Sequence, residues 1–508
     1  NTGTSPTTPL ATIGAAITKA SPGATIYVDA GAYLPGDFTI SKAVKIYGAN
    51  YHISPNDVSN ALLPNAERDL NKETFITGST ISIGSNDISL EGLYFDPGAK
   101  SQIVLTNTGY NNFSYKKNYS RITSGTFISL TGPTIPNSQT PAFGNHIIED
   151  NRFEKTGTVG GIGITAGYLN NVTVNSNAFV TPSTATQRTL VNSYAGFGGV
   201  VTNFKYSNNV SLASNYDVFS FYLTSGVIEN NIGMHGLRPL VIQTVAAGSS
   251  NVRISNNYFE SDFAVNPPIS YGCFDTGSPG SSSTAIIELN TVIQNPAGRN
   301  NIPIACRVQI AGTVSNPTAT IRNNRFTFNG DYGSFTTSAI TGLSLFGKLQ
   351  TVFVENNELT FNGTNLTNTI PLNAPASSGI YLASDGGIAN AIPSNAVMNF
   401  TGNKISGFGN SIAVYDASAT APNTFVGYGN LPLGVTVNIQ NNSLTGDEFS
   451  INNGSTGQTV NATCNWYGSS DAAVVVPKIS GIATYSPWLT NGTDNDVATG
   501  FQPTANTC

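Results

Sequence analysis

Apolar and polar positions alternate along short segments of this chain, and one such segment is written many times. Val252-Arg253-Ile254-Ser255-Asn256-Asn257-Tyr258-Phe259 has apolar side chains at alternate positions, then an Asn pair, then a second short apolar run. A period of two is that of a half-buried strand. Near-copies are Val174-Asn175-Ser176-Asn177-Ala178-Phe179, Val227-Ile228-Glu229-Asn230-Asn231-Ile232 and Ile321-Arg322-Asn323-Asn324-Arg325-Phe326. Further copies run Val354 to Leu359, Phe400 to Ile405 and Ile439 to Leu444. The Asn falls where the chain must bend, and Asn tolerates left-handed backbone and bonds locally through its amide.

Marked by that Asn, the series runs Asn118, Asn151, Asn177, Asn209, Asn231, Asn257, Asn290, Asn324, Asn357, Asn403, Asn442 and Asn465. The intervals are 33, 26, 32, 22, 26, 33, 34, 33, 46, 39 and 23 residues. The shortest is read as the bare unit and the longer ones as that unit with insertions. A constant corner with a variable period argues against a propeller or a leucine-rich repeat, whose periods are more regular. It predicts a solenoid whose coils each make three short strands, with loops of free length leaving at fixed corners. Coils stacked about 4.8 Å apart would set successive Asn amides over one another as a hydrogen-bonded ladder.

Over nearly its whole length this pattern resembles the right-handed parallel β-helix proteins, the superfamily that includes pectate lyases, polygalacturonases and many bacterial surface proteins. The implied fold is all-β, a single right-handed parallel β-helix of about 12–13 coils with an N-terminal capping helix. Residues 1–48 are expected to form the cap and first strands, 49–80 an excursion and entry to the helix, 81–465 the coils with inserted loops, and 466–508 the C-terminal cap and tail. In the first segment, Leu10 to Ala20 has helical spacing, with Ile13, Ala16 and Ile17 on one face. Such a helix would cover apolar interior and an unpaired strand edge at the open end of the stack. Residues 49 to 74 lack a strand pattern, carry a charged cluster at Glu67, Arg68 and Asp69, and are expected to return at Phe75-Ile76-Thr77-Gly78. The closing segment, with Trp466 and Trp488, is similar to that of β-helix domains in large secreted surface proteins of Bacteroidetes-type bacteria. Both rings are expected to plug the end of the core.

Composition narrows the function classes. Only 10% of the 508 residues are charged, with a net charge of −6, so the surface must be clothed in neutral polar groups. Without a basic run to neutralise phosphates, nucleic acid is not an expected partner. No apolar run reaches the ~18 residues of a membrane helix. No signal peptide is recognisable and the chain opens on Asn1, which suggests a mature or excised piece whose precursor could carry further domains as partners. Cys273 and Cys306 fall in strands of consecutive coils, where stacking could bridge them, and a Cys464–Cys508 bridge would pin the tail. Bridges would point to an oxidising, extracellular setting, whereas free thiols would leave the compartment open.

After each corner a further strand is expected: Gly161 to Thr165, Phe219 to Leu223, Pro239 to Val245, Ile269 to Asp275, Ile304 to Ile310, Gly342 to Phe346, Gly379 to Asp385 and Ser411 to Asp416. These should form one parallel sheet flanked by the variable loops. In the enzymes resembled, substrate lies along such a sheet. Alternation points Arg307 and Gln309 outward. The same logic exposes Tyr222, Gln243, Tyr381, Asp385 and Tyr415, while loops add His235, Arg238, Asp262 and Asp275. Aromatics among amides suit a polysaccharide or cell-surface glycan, because flat rings match pyranose faces and planar amides match hydroxyls.

Catalysis has thinner support. A hydrolase needs two carboxylates astride the sugar bond, for which Asp385 and Asp416 are the candidates. The paired-Asp motifs of polygalacturonases are missing. A lyase needs a base, for which Arg307 or Arg238 could serve, yet no acidic cluster suggests calcium. Asp471, Asp494 and Asp496 read as solvated turn residues, and His52, His146 and His235 as structural. No cofactor motif or metal spacing is found, and sequons such as Asn171-Val172-Thr173 and Asn399-Phe400-Thr401 arise readily in an Asn- and Thr-rich chain. The leading expectation is a secreted, surface-exposed, non-catalytic domain that binds glycans or mediates adhesion. The alternatives are a polysaccharide lyase or glycoside hydrolase, and a rigid stalk.

Overall fold

The computed structural model describes all residues except 1, 97–102, 106–108, 123–125, 133–142, 156–159, 181–194, 198–199, 214–216, 221–222, 237–238, 245–249, 262–267, 276–281, 296–303, 313, 331–339, 364–376, 386–390, 415–427, 456 and 506. The chain divides into two compact units, Asn1–Pro239 and Leu240–Cys508. Each is a parallel β-helix whose coils contribute strands to three sheets.

One coil of the second unit shows the plan. Strand Ser250–Ser255 lies in the first sheet, Asn256 and Asn257 turn the corner, and Tyr258–Ser261 enters the second sheet. Ile269–Asp275 then lies in the third, and Ser283–Glu288 begins the next coil beside Ser250–Ser255. Because the pairing is parallel and in register, the repeated pattern stacks inward residue on inward residue. Ile254, Ile287, Ile321, Val354, Phe400 and Ile439 form one buried file, and Phe259, Val292, Phe326, Leu359, Ile405 and Leu444 another. In the first unit, Phe153 stacks on Phe179 with centroids 5.0 Å apart. The register also holds across the two longest intervals, with Glu358 opposite Lys404 and Lys404 opposite Ser443.

The corner is tight because two consecutive residues divide its work. The marker Asn is buried and forms the ladder, whereas the left-handed conformation falls on the residue before it. Asp150, Asn208, Asn230, Asn256, Asn323, Asn356 and Asn441 hold φ between 53° and 58°. The doubled Asn of the sequence is therefore a corner residue followed by a rung. In the first unit the rungs link Asn118, Asn151, Asn177, Asn209 and Asn231. In the second they link Asn257, Asn290, Asn324, Asn357, Asn403, Asn442 and Asn465.

Helix Ile13–Lys19 buries Ile13 and Ile17, and Thr12 Oγ1 accepts the Ala15 N–H at its start. At the C-terminus the plug is Tyr467, Val475 and Leu489, all at most 2% exposed, and both tryptophans are only half-buried. Trp466 follows the inward-facing rung Asn465 and precedes inward Tyr467, so alternation sends it outward. Segment 49–73 returns to the sheet at strand Thr74–Thr77. It lies over the corner side of its own unit, where Ser54 Oγ donates to Asp150 (2.6 Å) and Asn56 Nδ2 to the Asn151 carbonyl (3.2 Å). The second unit's tail does the same job: the Phe501 N–H donates to the Gly402 carbonyl and Lys404 pairs with Asp494 (3.1 Å). Gly402 replaces Asn at its corner, and a Cβ there would meet Asn356 Oδ1 at 2.1 Å. Cys464, itself at a left-handed corner, is disulfide-bonded to Cys508, which ends the tail.

Candidate functional site

Most of the strands expected to line a groove share the third sheet, whereas Leu223 of the expected strand 219–223 bridges Val201 of the first sheet. Residues Leu240–Thr244, Ile269–Asp275, Ile304–Gly312, Thr341–Gly347, Ser378–Asp385 and Asn410–Val414 are successive neighbours in it. Arg307 and Gln309 are half-buried on the outward side while Cys306, Val308 and Ile310 face the core, as alternation predicts. Along its row Arg307 stands between Ser270 and Ser344.

Two expectations are corrected here. Tyr381 is not on an open surface: it is 6% exposed and packs with Phe346, Ala383 and Ala413. All four point away from the coil interior yet form a satellite core, so this part of the outer face is filled. The proposed bridge between Cys273 and Cys306 is excluded by register. Cys306 lies opposite Ile269 and Cys273 opposite Ile310, an offset of four residues or about 13 Å along the strand, far beyond disulfide reach. Cys306 is a buried free thiol whose pKa burial drives up.

Other candidates are only partly placed. Gln243, Asp275 and Asp385 lie in strands of the third sheet, but their side chains fall outside the described residues, as does that of Cys273. Asp385 pairs through its backbone with Tyr428 in an antiparallel bridge. Tyr222, Arg238, Asp262, Tyr415 and Asp416 lie outside the described residues altogether. His235 belongs to strand Ile232–Gly236 rather than a loop. His146 is buried with its Nδ1 accepting the Phe113 N–H, and burial pulls its pKa down to about 4. Asp471 caps the helix Ala472–Val475, and Asp494 is held by Lys404 and the Gln502 N–H. Among the described residues no group of His, Cys, Asp or Glu converges as a metal site.

Charged side chains elsewhere mostly neutralise one another between coils. Glu288, 4% exposed, lies between Arg253 (2.5 Å) and Arg322 (2.6 Å). Burial pushes its pKa up, but hydrogen bonds from Arg322 and Arg253 outweigh that and hold it below the usual carboxylate range. Lys116 pairs with Glu149 (2.8 Å) and Arg325 with Glu358 (3.2 Å). Between them run neutral files: Asn461 donates to Asn438 (3.3 Å) and Asn438 to Asn399 (3.0 Å) on the outward face of the first sheet.

One cluster was not singled out from the sequence. Tyr27 and Tyr47 face each other in neighbouring coils of the first sheet, and the turn after Gly48 brings Tyr51 beside them. Tyr47 and Tyr51 are stacked at 5.0 Å with planes 8° apart, Tyr27 stands 5.8 Å from each, and His52 adjoins Tyr51 at 5.3 Å. Tyr27 is 69% exposed. Alternation in Thr25-Ile26-Tyr27 and Lys45-Ile46-Tyr47 points both rings outward, so the signal for that pair was present. The place of Tyr51 follows from a turn that carries no periodic mark.

No protein-family model, curated protein or solved structure matches the chain.

Proposed function

We propose that this chain is a secreted, surface-exposed β-helix domain that binds glycans or mediates adhesion and is not catalytic. The observation that carries this reading is the chemistry of the outward files. They present amides, hydroxyls and phenols, while carboxylates such as Glu149 and Glu288 are engaged by neighbouring cations. Neutral donors and acceptors at coil spacing suit sugar hydroxyls, whereas bond cleavage asks for a poised acid or base. The Cys464–Cys508 bridge is compatible with an oxidising compartment.

The test is a panel of plant, algal and bacterial polysaccharides, followed for new reducing ends and for unsaturated-sugar absorbance, with Arg307→Ala in parallel. The proposal expects no product and retarded migration of the protein in at least one polysaccharide gel. Product that disappears with Arg307→Ala would overturn it in favour of a lyase or hydrolase. Neither product nor retardation would leave a rigid spacer as the better account.

A further inference from the structure

Outward aromatic files occur in several places on this molecule, and in two of them the fold itself covers the rings. On the second sheet of the first unit, Tyr94 stacks on Tyr119 at 4.7 Å, with Arg152 over Tyr119. Arg152 in turn donates to the Ala61 and Leu62 carbonyls of segment 49–73, and Tyr94 and Tyr119 are 6% and 7% exposed. On the third sheet of the second unit, Phe346 and Tyr381 are likewise buried. The Tyr27, Tyr47 and Tyr51 cluster is built as closely, but its most prominent ring is left open to solvent.

Its construction is demanding. The turn carrying Tyr51 passes directly over Gly92, where a Cβ would meet Tyr51 Cα and N at 2.1 Å. Gly92 also holds φ of +68°, and a Cβ on Gly48 would meet the Gly92 carbonyl oxygen at 2.3 Å. Two glycines at one crossing are what bring Tyr51 against Tyr47. The file then continues in register through polar residues, with Tyr47 opposite Glu91, Glu91 opposite Lys116 and Lys116 opposite Glu149. Glu91 is half-buried and pairs with Lys117 at 3.7 Å.

We infer that Tyr27, Tyr47 and Tyr51 form a stacking platform for a neutral glycan, whose next sugars run along the same file past Glu91 and Lys116. This rests on the glycan-binding reading above and assigns it a site. Rigid phenols offer flat apolar faces to pyranose C–H groups at small entropic cost, with hydroxyls at the rim. The polar file supplies a carboxylate acceptor and an ammonium donor for sugar hydroxyls, one coil apart at about 4.8 Å. An extended sugar chain advances by a similar step per residue. The alternating signs of Glu91, Lys116 and Glu149 offer no net cationic field to a polyanion.

The experiment is affinity electrophoresis of the intact chain in gels containing hydroxyethylcellulose, xyloglucan, galactomannan, laminarin or polygalacturonate. It compares wild type with Tyr27→Ala, Tyr47→Ala and, as a control in the second unit, Tyr258→Ala. Tyr27 is the safe variant because its side chain is largely solvent-exposed, and thermal melts check the others. Retardation of wild type and Tyr258→Ala in a neutral gel, weakened about tenfold by Tyr27→Ala and Tyr47→Ala, is the expected result. Equal retardation of the Tyr27 and Tyr47 variants would overturn the platform and leave glycan binding standing. Retardation in polygalacturonate alone would overturn the neutral ligand class. No retardation of wild type in any gel would overturn the glycan reading and the platform together.

Discussion

Asn324 and Asn357 occupy equivalent corners of adjacent coils, and one oxygen joins them twice: Asn357 Oδ1 accepts both the backbone N–H (3.0 Å) and Nδ2 (2.9 Å) of Asn324. Asn324 Nδ2 also donates to the Ile287 carbonyl at 2.9 Å, and Asn324 Oδ1 accepts from Asn290. Every polar atom of the rung is therefore engaged, and both side chains are fully buried. Asn324→Ala would orphan donors on one side and an acceptor on the other, at a cost of roughly 3 kcal/mol. Asn399→Ala, in an outward file, should change stability by about 0.5 kcal/mol or less. Urea unfolding midpoints compare the two, and equal shifts would contradict the structural role assigned to the ladder.

Arg68 and Glu73 form an ion pair with side chains 2% and 0% exposed, and Arg68 Nη1 reaches the Lys117 carbonyl (2.7 Å) at a corner of the first unit. Arg68→Ala strands a buried carboxylate and frees segment 49–73, for an expected loss of about 3–5 kcal/mol. Limited proteolysis should then cut within 49–73, a segment in which the wild type is expected to resist. Replacing both partners together, Arg68→Met with Glu73→Leu, should recover much of the loss.

His146 should make the first unit acid-sensitive. Its folded pKa is held near 4 by burial, against about 6.5 when unfolded. As pH falls from about 6.5 towards 4, the unfolded chain gains a proton that the folded chain refuses, so stability drops. The full effect, on the order of 3 kcal/mol, is reached below the folded pKa. Thermal melts between pH 7 and 4 should show this slope, and His146→Phe should flatten it. A slope unchanged by that substitution would assign the acid response to other groups.

The cysteines should differ sharply in reactivity. Cys306 is fully buried and its thiol is shifted upward, so a thiol reagent should reach it only on unfolding. Reducing Cys464–Cys508, a link across 44 residues, should lower stability by about 2–4 kcal/mol and release the tail first. Mass mapping of alkylated peptides reads both. Early labelling of Cys306 in the oxidised native protein would refute the burial.

Alternation and the Asn marker sufficed for the solenoid, the identity of the ladder residues, the helical cap with Ile13 and Ile17 inward, and the shared third sheet around Arg307. All of these are local patterns repeated until they leave one way to stack. The role of the first Asn in each doubled pair was misplaced by one residue, because both members are compatible with a corner and only the backbone shows which takes positive φ. The sequence reading puts both tryptophans at the end of the core, yet alternation after Asn465 turns Trp466 out.

Contacts that depend on register across insertions, or on what covers an outward face, lay beyond what the sequence by itself determined. Whether Cys273 meets Cys306 depends on a register of four residues between strands separated by an insertion, and nothing local records that offset. Whether an outward ring such as Tyr381 or Tyr27 is open depends on what the fold lays over it, and that covering comes from elsewhere in the chain. A repeat specifies which residues stack, since stacking follows from period alone. The tertiary structure alone decides which stacked surfaces remain uncovered, because covering one is a long-range event.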